Sequence, residues 1–573
     1  MKKLLIMTLS MFMTSTFAAD YTVEPDWDKL WLTPDWTKDA KLGASGNRSN
    51  VYKLPPKQWQ EVVAKGRMHT LFYPVDKQKV MIPHKPLKNF FEKGASNPLK
   101  KFILKLLKIQ TGWNQMDQMF DYVGLHPYPA TEGAGVYQVP FKKGIRPDYP
   151  MGVTLKDTPN GEIMTVGCAG CHAGNLFGKK VIGLTNRFPH ANEFFLMGKK
   201  YVPLVPKTLF KLGTNASKGE VKMFKKLKKN LKFIEGVAPQ ALGLDTSLAH
   251  TGLSLSRRLA DKWATKHPYT GAIPRPSRLR KTHTDSKPAV WWNLKYKTKW
   301  LSDASIISGN PIFTNFLWNE IGRGQTLEDL GEWFKSNKKT IIELTAAVFA
   351  AKPPRVTDFF PASHINLDSA KRGEKLFNKS CRKCHGTYTK AWSGLDGHKL
   401  PLSEQFKTTK VRYHQQTLVK DVGTSDLRRR GMGYFLEDLN RLELSKLTNT
   451  VVVEQPGYIP PPLDGIWARW PYLHNNSIPS LCQLLTPEFD REKGYWMGAS
   501  INADKDFDFK CNGYPSGAGV PSSWKAKMNH YYDNSKSGLS NLGHSREILI
   551  KKDGSRVYSD SQVLDLVAFL QTL

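Results

Sequence analysis

Cysteine, acidic side chains and long apolar runs are all scarce in this sequence of 573 residues. Six cysteines would be a low count for an exported chain of this size. Apart from the N-terminus, no segment is apolar enough to span a bilayer, so we predict that the protein is not transmembrane. No solenoid repeat or long low-complexity tract occurs. The 40% apolar and 11% aromatic residues indicate a folded chain with large buried rings.

The N-terminus has the pattern of a secretory signal peptide. Lys2 and Lys3 precede a mostly apolar stretch, which ends in small residues suited to cleavage after Ala18 or Ala19. A membrane anchor is the alternative, but the stretch is shorter than the roughly 20 residues needed to span a bilayer. We therefore expect a signal peptide at 1–19 and a periplasmic or secreted protein.

Basic residues outnumber acidic ones, 84 to 50, for a formal charge of +34. This balance favours an anionic partner, such as an acidic redox protein or an anionic envelope surface. Nucleic acid is not expected, because the chain carries an export signal and no nucleic-acid-binding motif. Simple solubility is the alternative explanation of the charge.

Four of the six cysteines form two identical C-x-x-C-H motifs. Residues i and i+3 of a helical turn share a face, so both thiols reach the two vinyl groups at one edge of a porphyrin. The adjacent histidine then becomes the proximal iron ligand. We predict two covalently bound haem c groups, at Cys168-Ala-Gly-Cys171-His172 and Cys381-Arg-Lys-Cys384-His385.

Other uses of these cysteines fit the sequence less well. A structural zinc site would need two further ligands at short spacing, and neither motif has a second C-x-x-C nearby. A thioredoxin-like dithiol belongs to a βαβ pattern, which neither flank shows, and does not need the following histidine. Haem attachment therefore remains the prediction.

The helical patterns predict a mostly α fold: two cytochrome c-like haem domains with long irregular loops, a helical insertion and an N-terminal extension. Domain 2 is expected at 366–573. Asp368 is the predicted N-cap of an amphipathic helix, Ser369–Phe377, that leads into the second motif. Ser559–Leu573 has apolar residues at helical spacing and is predicted to close the domain.

Domain 1 is expected at 151–355, closing with a helix at Thr340–Ala351 that two prolines end. Its basic, helix-prone insertion, about 207–266, mixes lysines with apolar residues in the run Lys222–Lys232. A solvated helix face and docking to an anionic surface are both consistent with this run. Residues 20–150 show little periodicity, and we expect an irregular extension wrapping the first haem unit.

The sixth iron position decides whether a haem binds small oxidants or mainly carries electrons. For the second haem we predict His544, from a loop before the last helix, with Gly543 helping the loop approach the ring. His530, Met528 and a surface histidine are the alternatives. For the first haem we predict an open or weakly filled site, because His190 is close only in sequence.

Three further residues are candidates for the haem pockets. His474 follows an aromatic segment, and either positions haem-site loops or propionates or is a buried histidine with backbone partners. Trp291 and Trp292 either line the first pocket, lie between the haems or belong to the core.

Two cysteines remain outside the motifs, Cys482 and Cys511. In an oxidising compartment we expect them to form a disulfide that closes a loop of domain 2. Free buried thiols are the alternative.

The sequence resembles the bacterial di-haem peroxidase superfamily, and within it the rubber oxygenase-like cytochromes. The likeness covers roughly residues 120–573 and consists of the two C-x-x-C-H motifs, Lys-Pro-x-x-Trp-Trp-Asn-Leu-Lys at 287–295, and Pro461–Trp467 running into Pro471–Asn475. It implies helical cytochrome c folds and two haems outside the cytoplasm. It also implies an N-terminal haem that cleaves polyisoprene with dioxygen, on proximal His172, and a C-terminal haem held by His385 and His544.

The leading hypothesis is a haem-dependent oxidoreductase, dioxygenase-like or peroxidase-like, that activates O2 or peroxide at haem 1. Haem 2 would store or relay electrons, and an apolar polymer is a candidate substrate. The alternative is a periplasmic electron-transfer cytochrome without chemistry of its own. An accessible sixth position on either iron distinguishes the two.

Overall fold

A computed structural model describes residues 24–43, 46–72, 81–92, 98, 101, 113–258, 276–546 and 548–573. The predicted signal peptide lies outside the described residues, as do parts of the predicted extension and of the basic insertion. Across the described ranges, no helix is both long and apolar enough to cross a lipid bilayer.

Helices make up most of the regular structure. The longer ones are Pro56–Phe72, His84–Glu92, Met116–Val123, Ala191–Tyr201, Lys207–Thr214, Lys218–Leu231, Ser247–Leu255, Pro311–Gly322, Leu327–Ser336, Lys338–Ala350, Leu367–Ser380 and Asp560–Gln571. The short helices that bear on the candidate sites are Ala169–His172, Arg382–His385, Leu481–Leu484 and the 3₁₀ turn Trp291–Tyr296.

Short antiparallel strands are interspersed among the helices. One sheet has three strands in the order Ile82–Pro83, Gly161–Val166, Val153–Thr158. The two-stranded ladders are Ala173–Leu176 with Lys179–Ile182, Ile306–Ser308 with Val451–Val452, Thr387–Lys390 with Thr408–Arg412, and Gly494–Trp496 with Tyr531–Asp533. The fold is therefore a mixture of helices and small sheets, less purely helical than predicted.

Helices Leu367–Ser380 and Asp560–Gln571 pack against each other, which confirms the two helices predicted to frame the second motif. A Cβ on Gly373 would lie 1.9 Å from Asp565 O, so only glycine allows this close crossing. Arg372 Nε donates to Asp565 Oδ2 over 2.9 Å at the same place. The predicted N-cap was wrong by two residues, since Asn366 Oδ1 accepts from Ser369 N over 2.8 Å.

The predicted closing helix of the first unit is confirmed at Lys338–Ala350. It packs against Pro56–Phe72, where His69 Nε2 lies 2.7 Å from Glu343 Oε2. Helix Pro56–Phe72 lies within residues 20–150, which were predicted to be irregular, so that prediction was wrong for this part of the chain. Lysine, glutamine and glutamate on its exposed positions hid the apolar stripe that contacts the core.

Two large hydrophobic cores lie beside the two motifs. The first includes Leu248–Leu255, Ile341–Phe349 and also Met432–Val452 from the second half of the chain. The second includes Phe377, Trp467 and Phe569, together with Leu176–Leu184 from the first half. Each core thus contains residues from both sides of the domain boundary that the sequence predicted between 355 and 366.

Candidate haem sites

The first motif forms a single helical turn between two strands. His172 N donates to Cys168 O over 3.0 Å, which closes the turn and brings both thiols to one side. Cys168 and Cys171 are free thiols, and burial raises their pKa values to about 11 and about 12. Two thiols at i, i+3 spacing on one helical turn fit thioether attachment to a porphyrin.

His172 is oriented by a backbone carbonyl. Its Nδ1 lies 2.9 Å from Ala289 O, so Nδ1–H donates and Nε2 is left to bind a metal. Burial lowers the pKa of His172 and favours the neutral ring that coordinates iron. Trp291 is its ring neighbour, with centroids 5.6 Å apart.

Trp292 occupies a different environment from Trp291. It is fully buried in the second core, and its Nε1 donates to Asp464 O over 2.8 Å. Of the two tryptophans proposed for the pocket, Trp291 therefore lies beside His172, whereas Trp292 links its segment to residues near the second motif.

The second motif repeats this arrangement. His385 N donates to Cys381 O over 3.0 Å, and His385 Nδ1 lies 2.8 Å from Pro461 O. Burial lowers the pKa of His385 to about 4, which keeps its ring neutral near pH 7. Nε2 is again left for a metal. In each motif, a backbone carbonyl thus orients the histidine through its Nδ1.

His544 lies opposite His385, with ring centroids 6.2 Å apart. Two imidazoles bound to one metal at roughly 2 Å per bond, plus roughly 1 Å from nitrogen to ring centre, would have centroids about 6 Å apart. Burial, and next the field of His385, lower the pKa of His544 to about 3. The donor set at the second motif therefore fits a haem iron with two neutral histidines.

The loop that carries His544 is held by Gly543, which the sequence predicted to help the loop approach the ring, and by Arg491, which the sequence did not reveal. Gly543 has a positive φ of 95°, and a Cβ there would lie 2.4 Å from Thr424 N. Glycine is thus required for contact with the 422–424 backbone. Buried Arg491 donates to Gly543 O over 2.8 Å and also to Asn541 O. The same guanidinium donates to Thr486 O over 2.9 Å, so it ties two loops together.

The alternative sixth ligands lie in other contacts. Met528 is 75% exposed, and His530 Nδ1 lies 3.0 Å from Met497 O. His190 is stacked on Tyr122 with centroids 4.9 Å apart. The structure therefore brings His544 to His385, whereas the contacts of the other candidates are with other groups.

His474 is half-buried between chain segments. Its ring stacks on Tyr458 with centroids 4.3 Å apart, and its carbonyl accepts from Lys287 N over 2.8 Å. Burial, followed by the field of Arg428, lowers its pKa to about 3. The ring is therefore neutral near pH 7 and packs as an aromatic group.

Cys482 and Cys511 form a disulfide in the structure. Cys482 belongs to helix Leu481–Leu484, whose C-terminal end carries the carbonyls that Arg491 contacts. The disulfide therefore anchors the segment to which Arg491 ties the His544 loop.

Comparison with known proteins gives a partial match. The model of a family described as RoxA-like, cytochrome c-like, matches residues 457–497, which include Pro461 and Arg491. The uncharacterized protein y4iM of Sinorhizobium fredii is 26% identical over 220 residues, or 36% of this chain and 49% of that protein. The uncharacterized protein y4iJ of the same organism is 37% identical over 83 residues, or 14% of this chain and 12% of that protein.

The chain thus spans about half the length of the first of these relatives and far less of the second. The family match supports a relation of the chain to rubber oxygenase-like cytochromes, and with it binding of haem c. The matched segment holds the carbonyl that orients His385 and the arginine that ties down the His544 loop.

Proposed function

We propose that this protein is an exported di-haem c-type cytochrome that acts as an oxidoreductase. The haem on Cys168, Cys171 and His172 would activate O2 or peroxide, and the haem on the second motif would relay electrons. When bound, haem supplies an iron that exchanges single electrons and, if its sixth position is open, binds small oxidants.

A difference between the two motifs supports this division of labour. The ring facing His385 is another histidine, 6.2 Å away between centroids. Within the described residues, the ring contact of His172 is with Trp291, which follows the Ala289 carbonyl that His172 Nδ1 contacts. The histidine beside His385 supports electron transfer at the second site, and the lack of such a histidine contact at His172 among the described residues supports oxidant binding at the first.

The two proximal histidines are connected through a short chain of contacts. His172 donates to Ala289 O, Trp292 Nε1 donates to Asp464 O, and His385 donates to Pro461 O. Ala289 and Trp292 are three residues apart in the chain, as are Pro461 and Asp464. Because Trp292 is fully buried, this link packs the two segments that hold the histidines against each other, which supports relay of electrons between the two sites.

The partners are proposed from charge and from the likeness to rubber oxygenases. On helix Lys218–Leu231 the exposed face carries Lys222, Lys225, Lys226 and Lys229, which supports docking to an acidic redox protein or an anionic envelope surface. The substrate is proposed to be O2 or peroxide with an apolar polymer or another reductant.

The absorption spectrum of the dithionite-reduced protein, before and after carbon monoxide, tests the proposal. We expect about half of the haem to shift, because one iron of two is open. No shift would instead favour an electron carrier with both irons blocked. In parallel, Cys168→Ala with Cys171→Ala should remove one covalent haem by mass, and retention of two would refute the motif assignment.

A further inference from the structure

Positive charge is concentrated around the segment that holds His385. Burial raises the pKa of the Asp464 carboxylate there, and the charges of Lys295, Lys390 and Arg469 act against this rise. Lys297 adds a further charge and is only 9% exposed. Four basic side chains and one carboxylate therefore lie in this largely buried region, and the local net charge is positive.

Hydrogen bonds on both sides of Lys297 place it against this segment. Trp292 Nε1 donates to Asp464 O over 2.8 Å, and Ile459 N donates to Ser302 O over 2.9 Å. Residues 292–302 therefore run alongside 459–464, with Lys297 between the two contacts.

Arg469 approaches the same segment from the other side. Its Nη1 donates to Pro462 O over 2.9 Å, one residue from the carbonyl that accepts from His385 Nδ1. Arg469 is also the charged group that, after burial itself, lowers the pKa of Lys297. Arg469 and the segment that carries Lys297 are thus both packed against residues 459–464, which include the carbonyl that holds the candidate proximal histidine.

Within the described part of the chain, Lys297 Nζ has neither a hydrogen-bond acceptor nor a carboxylate partner. Burial, and next the charge of Arg469, lower the pKa of Lys297 to about 7, because an ammonium without an anion carries a desolvation penalty there. The pair is therefore suited to a ligand that brings carboxylates to this place.

We propose that Lys297 and Arg469 bind the propionate carboxylates of the haem attached at Cys381 and Cys384. This inference rests on the proposed function, which supplies a haem on that motif. The guanidinium matches a carboxylate with two parallel donors, and the ammonium contributes a point charge. Both charges then favour the ferrous over the ferric iron and raise its reduction potential.

Lys297→Met tests the inference, because it removes the charge and keeps an unbranched side chain. A unit charge roughly 10 Å from the iron, at an effective dielectric constant of about 20, changes the ferric–ferrous equilibrium by about tenfold. We expect the potential of the second haem to fall by about 59 mV, which is tenfold for a one-electron couple. Potentiometric titration of the resolved c-type bands gives this value.

Lys299→Met is the matched control, since it makes the same charge change two residues away on a more exposed lysine. Equal potentials in the two variants, or no shift in Lys297→Met, would overturn the inference. Should Lys297→Met fail to fold, Arg469→Gln gives the same test and the same expected direction. Mass of the peptide with Cys381 and Cys384 reports separately whether haem is attached, so failure of the proposed function remains distinguishable.

Discussion

Replacing Arg491 by methionine should release the loop that carries His544. In the folded protein the buried guanidinium donates to Gly543 O and Asn541 O on one side, and to Thr486 O on the other. Burial lowers the pKa of Arg491 only to about 10, so the group is a cation at neutral pH.

The size of the effect follows from the two bonds to the His544 loop. A hydrogen bond from a charged donor contributes about 1.5 kcal/mol or more, so losing two costs about 3 kcal/mol. That energy changes the ratio of closed to open loop by about 150-fold, at 1.4 kcal/mol per tenfold. We expect the second haem to bind carbon monoxide after reduction and to lose part of its ferric low-spin signal.

The assay compares carbon monoxide difference spectra and ferric electron paramagnetic resonance spectra of Arg491→Met with those of Arg546→Met. Arg546 is 88% exposed and lies 3.7 Å from Glu488 in the same region, so its loss should change neither spectrum. An Arg491→Met protein that folds and shows the unaltered low-spin spectrum would refute the reasoning. Arg491→Lys, which keeps the charge with fewer donors, should give an intermediate result.

Three further predictions concern the ligand, the helix crossing and acid stability. His544→Ala should convert the second haem into a carbon monoxide-binding site, and an unchanged low-spin spectrum would remove this residue as ligand. Gly373→Ala should lower the free energy of unfolding by about 1–3 kcal/mol through overpacking, whereas Gly213→Ala, with open space around it, should not lower it. His250 is buried with its pKa depressed from 6.5 to about 4, so it stabilises the fold above pH 6.5 and loses this contribution as pH falls toward 4. His250→Leu should flatten urea-unfolding stability against pH over that window, and exposed His398→Leu should not.

The parts of the fold that the sequence predicted are those specified by short-range spacing. The two helices that frame the second motif, and helix Lys338–Ala350, were visible as apolar residues at helical intervals. Helix Pro56–Phe72 was missed because its exposed face is rich in long polar side chains, and its packing partner lies far along the chain. Local patterns do not report which distant element will cover a weak apolar stripe.

The thiols and histidines of the two motifs could be identified as candidate haem ligands from the sequence, because the proposed chemistry depends on a spacing within one helical turn. The sequence also suggested His544, which the structure brings to 6.2 Å from His385. The backbone carbonyls that orient His172 and His385, and the way in which Arg491 holds the His544 loop, are seen only in the folded chain. Every residue carries a carbonyl, so such partners leave no mark in the sequence. Likewise, the propionate-binding role proposed for Lys297 depends on its burial near another cation, which the sequence does not show.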